Sequence, residues 1–268
     1  AGISNFLSNL ITENISSRVG FLLMINVIFL FMGTFMDINI GTEVKLPPDG
    51  LDTLIAWTLN GVTYYCYEGM IAVTGSAVQW LRDGLQIINS SAETEEKQFE
   101  EIAASVEDTN GVYFVPTLAG INCPEYDPFA RGLIAGISRG ATKAHLVRAT
   151  LEGIAFSLAD IMNVVKDRTG ISVNNLQIDG GASKNNLLAQ MIADYTQASV
   201  SRPNSVEATA LGGAEMALIG AGLAKQEDFA SVMDIDRTFT PQMDDEKRTK
   251  NYEGWERARK RAGKWLVE

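Results

Sequence analysis

The stretch most capable of chemistry is Ile178-Asp179-Gly180-Gly181-Ala182-Ser183-Lys184-Asn185-Asn186. An apolar run of strand character, 171–178, stops at an acid, two glycines follow, and the apolar pattern of 187–196 resumes as a helix. A strand that breaks at Gly-Gly and restarts as a helix leaves unpaired backbone N–H groups at the positive end of a helix dipole, the makings of an anion or nucleotide site. Glycine suits the turn because a Cβ would oppose positive φ and the close approach of a ligand. The same turn reads as plain strand-to-helix punctuation, and it contains neither GxGxxG nor GxxxxGK[ST]. Other chemistry has little material. His145 is the single histidine, which leaves a Ser-His-Asp triad or an HExxH metal site without partners. Cys66 and Cys123 stand far apart and outside any CxxC, which argues against a disulfide scaffold or a zinc site and for a reducing, cytoplasmic setting.

The elements that must position this turn follow from patterning. With 268 residues and 46% hydrophobic content, the chain can bury a substantial core in one large domain or two small ones. A formal charge of -11 argues against nucleic acid as a partner, although backbone amides, lysine and magnesium can still hold a nucleotide phosphate locally. Residues 1–40 form an atypical, apolar N-terminal segment. Within it 19–36 runs without a charge until Asp37, long enough for a short membrane span yet interrupted by Gly20, Asn26, Gly33 and Thr34, so two buried strands fit as well. From Gly41 to the end the pattern is that of one α/β domain, 41–268. Residues 53–57 and 61–67 around Asn60-Gly61 predict a β-hairpin ended by Glu68-Gly69. A helix is expected over 73–89 with Val78, Leu81, Leu85 and Ile88 on one face, and an acidic helix or linker over 91–105. Residues 112–116 read as a short strand, 120–132 as a long loop, 142–166 as the longest helix with His145 in its first turn, and 200–203 as another strand. In the helix predicted over 208–222, Gly212-Gly213 costs about 2 kcal/mol in propensity, so a neighbouring backbone or a ligand should approach that face closely. A last helix over 244–265 turns Tyr252, Trp255, Ala258, Ala262 and Trp265 inward.

Several blocks then stand in register. Gln79-Trp80-Leu81-Arg82-Asp83, Asn110-Gly111-Val112-Tyr113-Phe114-Val115-Pro116 and Tyr126-Asp127-Pro128-Phe129-Ala130-Arg131-Gly132 precede Ala149-Thr150-Leu151-Glu152-Gly153, Asp179-Gly180-Gly181-Ala182 and Thr209-Ala210-Leu211-Gly212. Their order and spacing resemble the C-terminal half of the FGGY carbohydrate kinases, and within that family its glycerol kinase branch. The resemblance covers about 41–265 and implies an actin-like, RNase H-like α/β domain, one of two that close on ATP and a polyol. By matching motif it places Gly75 and Gln79, and Gly181 and Asn185 of the DGGAxxN turn, at the adenine nucleotide. It also implies Mg²⁺ as a cofactor, glycerol or another polyol as a partner, and a homo-oligomeric enzyme.

The departures carry as much weight. The family's block resembling TYGTGCFMLMNTG meets Met32-Gly33-Thr34-Phe35-Met36-Asp37-Ile38-Asn39-Ile40-Gly41 here, which is shorter. Thr34 is its nucleotide-contact match and Phe35 the match for the residue lining the polyol site. The GDQQ-type segment that bears the family's catalytic aspartate has no counterpart upstream, and 1–30 resembles nothing in the family. The expectation is therefore a nucleotide-side domain whose catalytic base lies elsewhere, with little or no kinase activity on its own. Its rivals are a non-catalytic nucleotide-binding partner, a kinase for another sugar, and a membrane-anchored variant using 19–36.

Overall fold

The computed structural model describes residues 34–71, 73–87, 95–205, 208–229 and 234–266, all within a compact unit that starts at Thr34. Most of the apolar segment 19–36 lies outside them. Three antiparallel strands open the unit: β1 (Thr34–Gly41), β2 (Asp52–Leu59) and β3 (Val62–Ile71), in the order β1-β3-β2. β1 thus enters the sheet ahead of the boundary expected at Gly41. Asn60 and Gly61 both take positive φ (52° and 78°), the two-residue turn whose twist matches a hairpin. Met36, Ile38 and Ile40 alternate inward on β1, beside Tyr67 and Ile71 of β3. β3 does not stop at Glu68-Gly69. Gly69 is needed inside the strand because a Cβ there would lie 2.7 Å from the Ile161 side chain.

The helix expected over 73–89 is instead a short α1 (Gly75–Gln79) that passes into a π-helical turn, Trp80–Gly84. Val78 and Leu81 are buried as the pattern requires, but the wide turn, closed by Leu85 N–H donating to the Trp80 carbonyl (3.0 Å), rotates Leu85 into solvent. Ile88 lies outside the described residues. Next come α2 (Glu95–Ala104), then β4 (Tyr113–Val115) paired antiparallel with β5 (Leu133–Ala135) across the long loop. The longest element is α3 (Lys143–Thr169), whose stripe of Leu151, Ile154, Ile161 and Val165 is buried. His145 closes its N-terminal capping box, its Nδ1 accepting from the Thr142 backbone N–H at 3.0 Å, which is a structural role.

The remainder is β6 (Asn175–Gln177), a 3₁₀ turn (Gly181–Lys184), α4 (Asn186–Thr196), β7 (Ser199–Pro203), α5 (Ala208–Gly220), α6 (Gln226–Phe229), β8 (Ile235–Phe239) and α7 (Asp245–Ala262). β6 and β7 are parallel and β8 is antiparallel to β7, giving a second three-stranded sheet in the order β6-β7-β8. β5, β8 and α6 had no clear signal in the sequence. On α5, nothing among the described residues comes within 4 Å of a Cβ built at Gly212 or Gly213, so of the two neighbours expected there a close protein backbone is not found, and that face stays open to a ligand. α7 ends three residues before Trp265, which is exposed rather than inward.

The core gathers around α3, α4 and α7. Phe156 stacks on Trp255 (5.2 Å between centroids) and lies 4.1 Å from the Tyr195 ring. Asp160, buried on α3, accepts from Trp255 Nε1 (2.9 Å) and Tyr252 Oη, both on α7, and pairs with Arg259 at 3.5 Å. The C-terminal tail folds back on the long loop: Lys264 N–H donates to Asp127 Oδ2 (2.6 Å) and Leu266 N–H to the Phe129 carbonyl (3.0 Å).

α3 approaches β4 so closely that a Cβ on Gly153 would lie 2.4 Å from the Phe114 carbonyl oxygen. Gly153→Ala is expected to cost about 1–3 kcal/mol by forcing backbone apart. Urea unfolding should show a lower midpoint at unchanged slope.

Candidate functional site

The Asp179-Gly180-Gly181 turn sits at the carboxyl end of β6, where open α/β sheets bind ligands. Its conformation is set locally. Gly180 takes φ 78°, which only glycine adopts without strain, and the 3₁₀ turn follows with Ser183 N–H and Asn185 N–H donating to the Gly180 and Ala182 carbonyls at 3.2 Å. Ser183 Oγ also donates to the Gly180 carbonyl (2.7 Å). From β7, Arg202 Nη1 donates to the Ser183 (2.9 Å) and Lys184 (3.3 Å) carbonyls, while its Nε donates to Asp236 Oδ2 on β8 (2.9 Å). The turn is therefore held from both sides.

The N-terminus of α4 is not an open anion site. Asn185 is its N-cap, Oδ1 accepting from Leu188 N–H at 2.9 Å. Glu100, reaching across from α2, accepts from the Asn186 backbone N–H at 3.0 Å and from its side-chain amide at 3.3 Å. A protein carboxylate thus already occupies the positive end of the helix. Asn185 is fully buried, and its Nδ2 has no hydrogen-bond partner among the described residues.

A cleft of about 680 Å³ runs beside this turn, lined by 35–39 of β1, by Thr74, by 171–179 through β6, and by Ala182, Ser183 and residues of α3 and α4. It brings Phe35 together with Thr74, which adjoins Gly75, and with Ala182, which adjoins Gly181. Gly75, Gln79, Gly181 and Asn185 are not themselves part of its lining. Gly75 and Gln79 are exposed at the two ends of α1, and Gly181 is exposed at the start of the 3₁₀ turn. Nothing lies within 4 Å of a Cβ built on Gly75 or Gly181. Thr34 begins β1 opposite Ile71 of β3. The supporting residues Glu100, Ser183 and Arg202 escaped sequence reasoning. Ser183, inside the turn motif, is the one the sequence could have flagged, whereas Glu100 and Arg202 arrive only through tertiary packing.

A second, more charged pocket of about 450 Å³ lies among Asp108, Tyr113, Arg148, Glu152, Lys247 and Asn251, between the β4 approach, α3 and α7. At its floor, burial pushes the Glu152 carboxyl up to about 7 although Arg148 stands 3.5 Å away. Asp160 is likewise pushed up to about 6 by burial, opposed by Arg259 and by its Tyr252 and Trp255 donors. Among the described residues, no group of three or more His, Cys, Asp or Glu side chains converges as a metal site. No helix among them is long and apolar enough to cross a membrane.

Comparison with known proteins adds independent findings. The model of the FGGY family of carbohydrate kinases, C-terminal domain, matches residues 33–221. A glycerol kinase of Caldanaerobacter subterraneus subsp. tengcongensis is 45% identical over 237 residues, covering 88% of this chain and 47% of that protein. Glycerol kinase 2 of Thermotoga maritima is 46% identical over 87% of this chain and 46% of its own length. Among solved structures, Plasmodium falciparum glycerol kinase with ADP superposes at a TM-score of 0.77 with 32% identity, covering 88% of this chain and 46% of that one. Xylulose kinase of Rhodospirillum rubrum follows at 0.67 and 26%, covering 84% and 45%. The chain spans about half the length of the curated relatives it matches.

Two outcomes are expected from these contacts. Asn185→Ala should lower stability by about 1 kcal/mol through loss of the N-cap, read from the urea midpoint. A carboxyl with a raised folded pKa makes the native state hold the extra proton, so its stabilising effect is present at low pH and lost as pH rises toward the folded value. For Glu152 that window runs from 4.5 to about 7. The wild type should therefore lose about 2 kcal/mol of unfolding free energy between pH 5 and 7.5 through this group, at 1.36 kcal/mol per unit, and Glu152→Gln should remove that loss.

Proposed function

This chain belongs to the FGGY family of carbohydrate kinases, and we propose that it forms the nucleotide side of a glycerol kinase-like enzyme. In that reading it holds ATP or ADP at the Asp179-Gly180-Gly181 turn while a catalytic base on another part of the enzyme deprotonates glycerol. The observation that carries it is the turn itself: a tightly buttressed backbone at the end of a parallel strand, with open space above Gly181 and Gly75. Buttressing fixes the turn, and bare α-carbons let a flat purine or ribose lie directly on backbone. Gln79, exposed at the end of α1, offers an amide that can both donate and accept. Asn185 acts by capping α4 and so fixing the turn's exit, and Phe35 supplies an apolar wall at the polyol side.

Mg²⁺ would travel with the nucleotide phosphates, which suits an ion usually bound through phosphates and one or two carboxylates. Asp179, exposed at the turn, is a carboxylate that could serve such an ion there. In the reaction, the polyol oxygen loses its proton to the base and attacks the γ-phosphorus in line. The bond to the bridging oxygen breaks, and ADP leaves with that electron pair. Positioning and charge neutralisation dominate such transfers, so a nucleotide-binding half contributes much of the catalysis without owning the base. Among superposed structures the identity to a glycerol kinase, 32%, exceeds that to a xylulose kinase, 26%, which favours glycerol over a sugar. A cytoplasmic homo-oligomer belongs to the same reading.

Calorimetry with ADP tests it. Gly181→Val, placed in open space at a φ that side chains accept, should leave stability within about 0.5 kcal/mol and weaken ADP at least tenfold; undiminished binding would overturn the assignment. In a coupled ADP-release assay with glycerol and MgATP the chain alone should show negligible turnover. A rate near ~10 s⁻¹, the ordinary enzyme median, would contradict the division of labour.

A further inference from the structure

We propose that the C-terminal end of α7, with the loop it folds back on, is a surface that docks on an anionic lipid bilayer. Three hydrogen bonds build it. Leu266 N–H donates to the Phe129 carbonyl (3.0 Å), Lys264 N–H to Asp127 Oδ2 (2.6 Å) and Arg131 N–H to the Ala262 carbonyl (3.2 Å). They hold 126–131 and 262–266 side by side, and with them four exposed apolar side chains. Tyr126 is 72% exposed and Trp265 61%, and Phe129 and Leu266 are exposed beside them. One such side chain alone is ordinary, but four gathered where two segments meet mark an interaction surface.

Cations adjoin this apolar group. Arg257, Lys260 and Arg261 are exposed on α7 at i, i+3 and i+4, which makes them one stripe, and Lys264 follows just past the helix. The opposite face of α7 turns Trp255, Ala258 and Ala262 into the core. Residues 257–266 hold five of the 22 basic residues and no acid, in a chain of charge -11. Of the five, Arg259 is engaged by Asp160. Among the described residues no carboxylate lies within 4 Å of the other four, although Glu125, Glu253 and Glu256 border the surface. Asp127 is occupied by the N–H groups of Phe129, Ala130 and Lys264.

Cations in the last turn of a helix also answer its dipole. That accounts neither for Lys264, which lies beyond the helix, nor for the exposed aromatics. A protein partner would favour arginine and keep lysine out of the centre of the contact. A bilayer matches both parts of the surface. Trp, Tyr and Phe settle at headgroup level, and Lys and Arg stems lie along the apolar boundary while their charges reach anionic headgroups. Each Lys or Arg near such a membrane strengthens binding about fivefold, within a Debye length of about 10 Å at 0.1 M salt. The acidic remainder of the chain is repelled, so this end leads the approach.

The test contains no nucleotide, so its result is independent of the kinase reading. The chain is pelleted with vesicles of phosphatidylcholine alone or of phosphatidylcholine mixed equally with phosphatidylserine. At about 0.1 M salt the mixed vesicles should bind it at least tenfold more strongly, and roughly 1 M salt, with a Debye length near 3 Å, should release it. The double variant Lys260→Glu/Arg261→Glu should weaken binding to mixed vesicles at least twentyfold. Trp265→Ser should weaken it about tenfold. Both variants alter exposed side chains and should keep the urea midpoint of the wild type. Equal binding to the two kinds of vesicle, or full binding by both variants, would overturn the proposal. Binding that survives high salt would assign the membrane contact to the apolar run 19–36 and overturn it too. So would retention on polyglutamate without vesicle binding, which would make the partner an acidic peptide.

Discussion

A single buried carboxylate governs how the longest helices meet. Asp160 lies inside the core on α3, and its three partners, Tyr252, Trp255 and Arg259, all come from one face of α7. Such a charge is tolerated only while every partner is in place. Removing one from a buried pair typically costs about 3–5 kcal/mol. The register of α7 on α3 is thereby fixed, which brings Gly254 so close to the Tyr113 ring that no side chain fits between them. α3 is pinned elsewhere by Gly153 against β4 and by Ile161 against Gly69 of β3. The first sheet, the β4 strand and α7 all take their positions from this one helix, and α4, packed beside it, carries the turn at its N-terminus.

That turn gains a different character from its contacts. A free helix N-terminus would attract phosphate by charge. Here Glu100 and Asn185 answer the first amides of α4, and Arg202 takes up carbonyls that the 3₁₀ turn leaves over. What the turn offers a ligand is shape and bare backbone. The net charge of -11 makes the same point for the chain as a whole: phosphate neutralisation is left to a metal ion or to groups elsewhere.

Legibility in the sequence followed the range of the interactions. The Asn60-Gly61 hairpin, the stripe of α3, the β6-turn-α4 unit and the inward faces of Trp255 and Ala258 were readable because each rests on local periodicity or on turn chemistry. Errors fell where a distant residue decided. β3 outran Gly69 because β1 pairs with it as far as Ile71, the helix after Thr74 broke into a π turn that displaced Leu85, and β8 pairs along β7. Within the site, motif spacing identified the turn. It could not show that Asn185 is buried as a cap, nor that Glu100 would arrive from 86 residues away to occupy the helix end.

The partners of Asp160 also impose an order in time. Tyr252 is synthesised 92 residues after it, and the bond from Lys264 back to Asp127 spans 137. Loops of that length close late and slow folding, since their entropy is lost before the contact forms. While the chain emerges from the ribosome, α3 must therefore wait with an unanswered carboxyl and an uncovered Phe156. Only when α7 has left the exit tunnel can the core close, so this domain completes its folding after α7 is made rather than as α3 emerges.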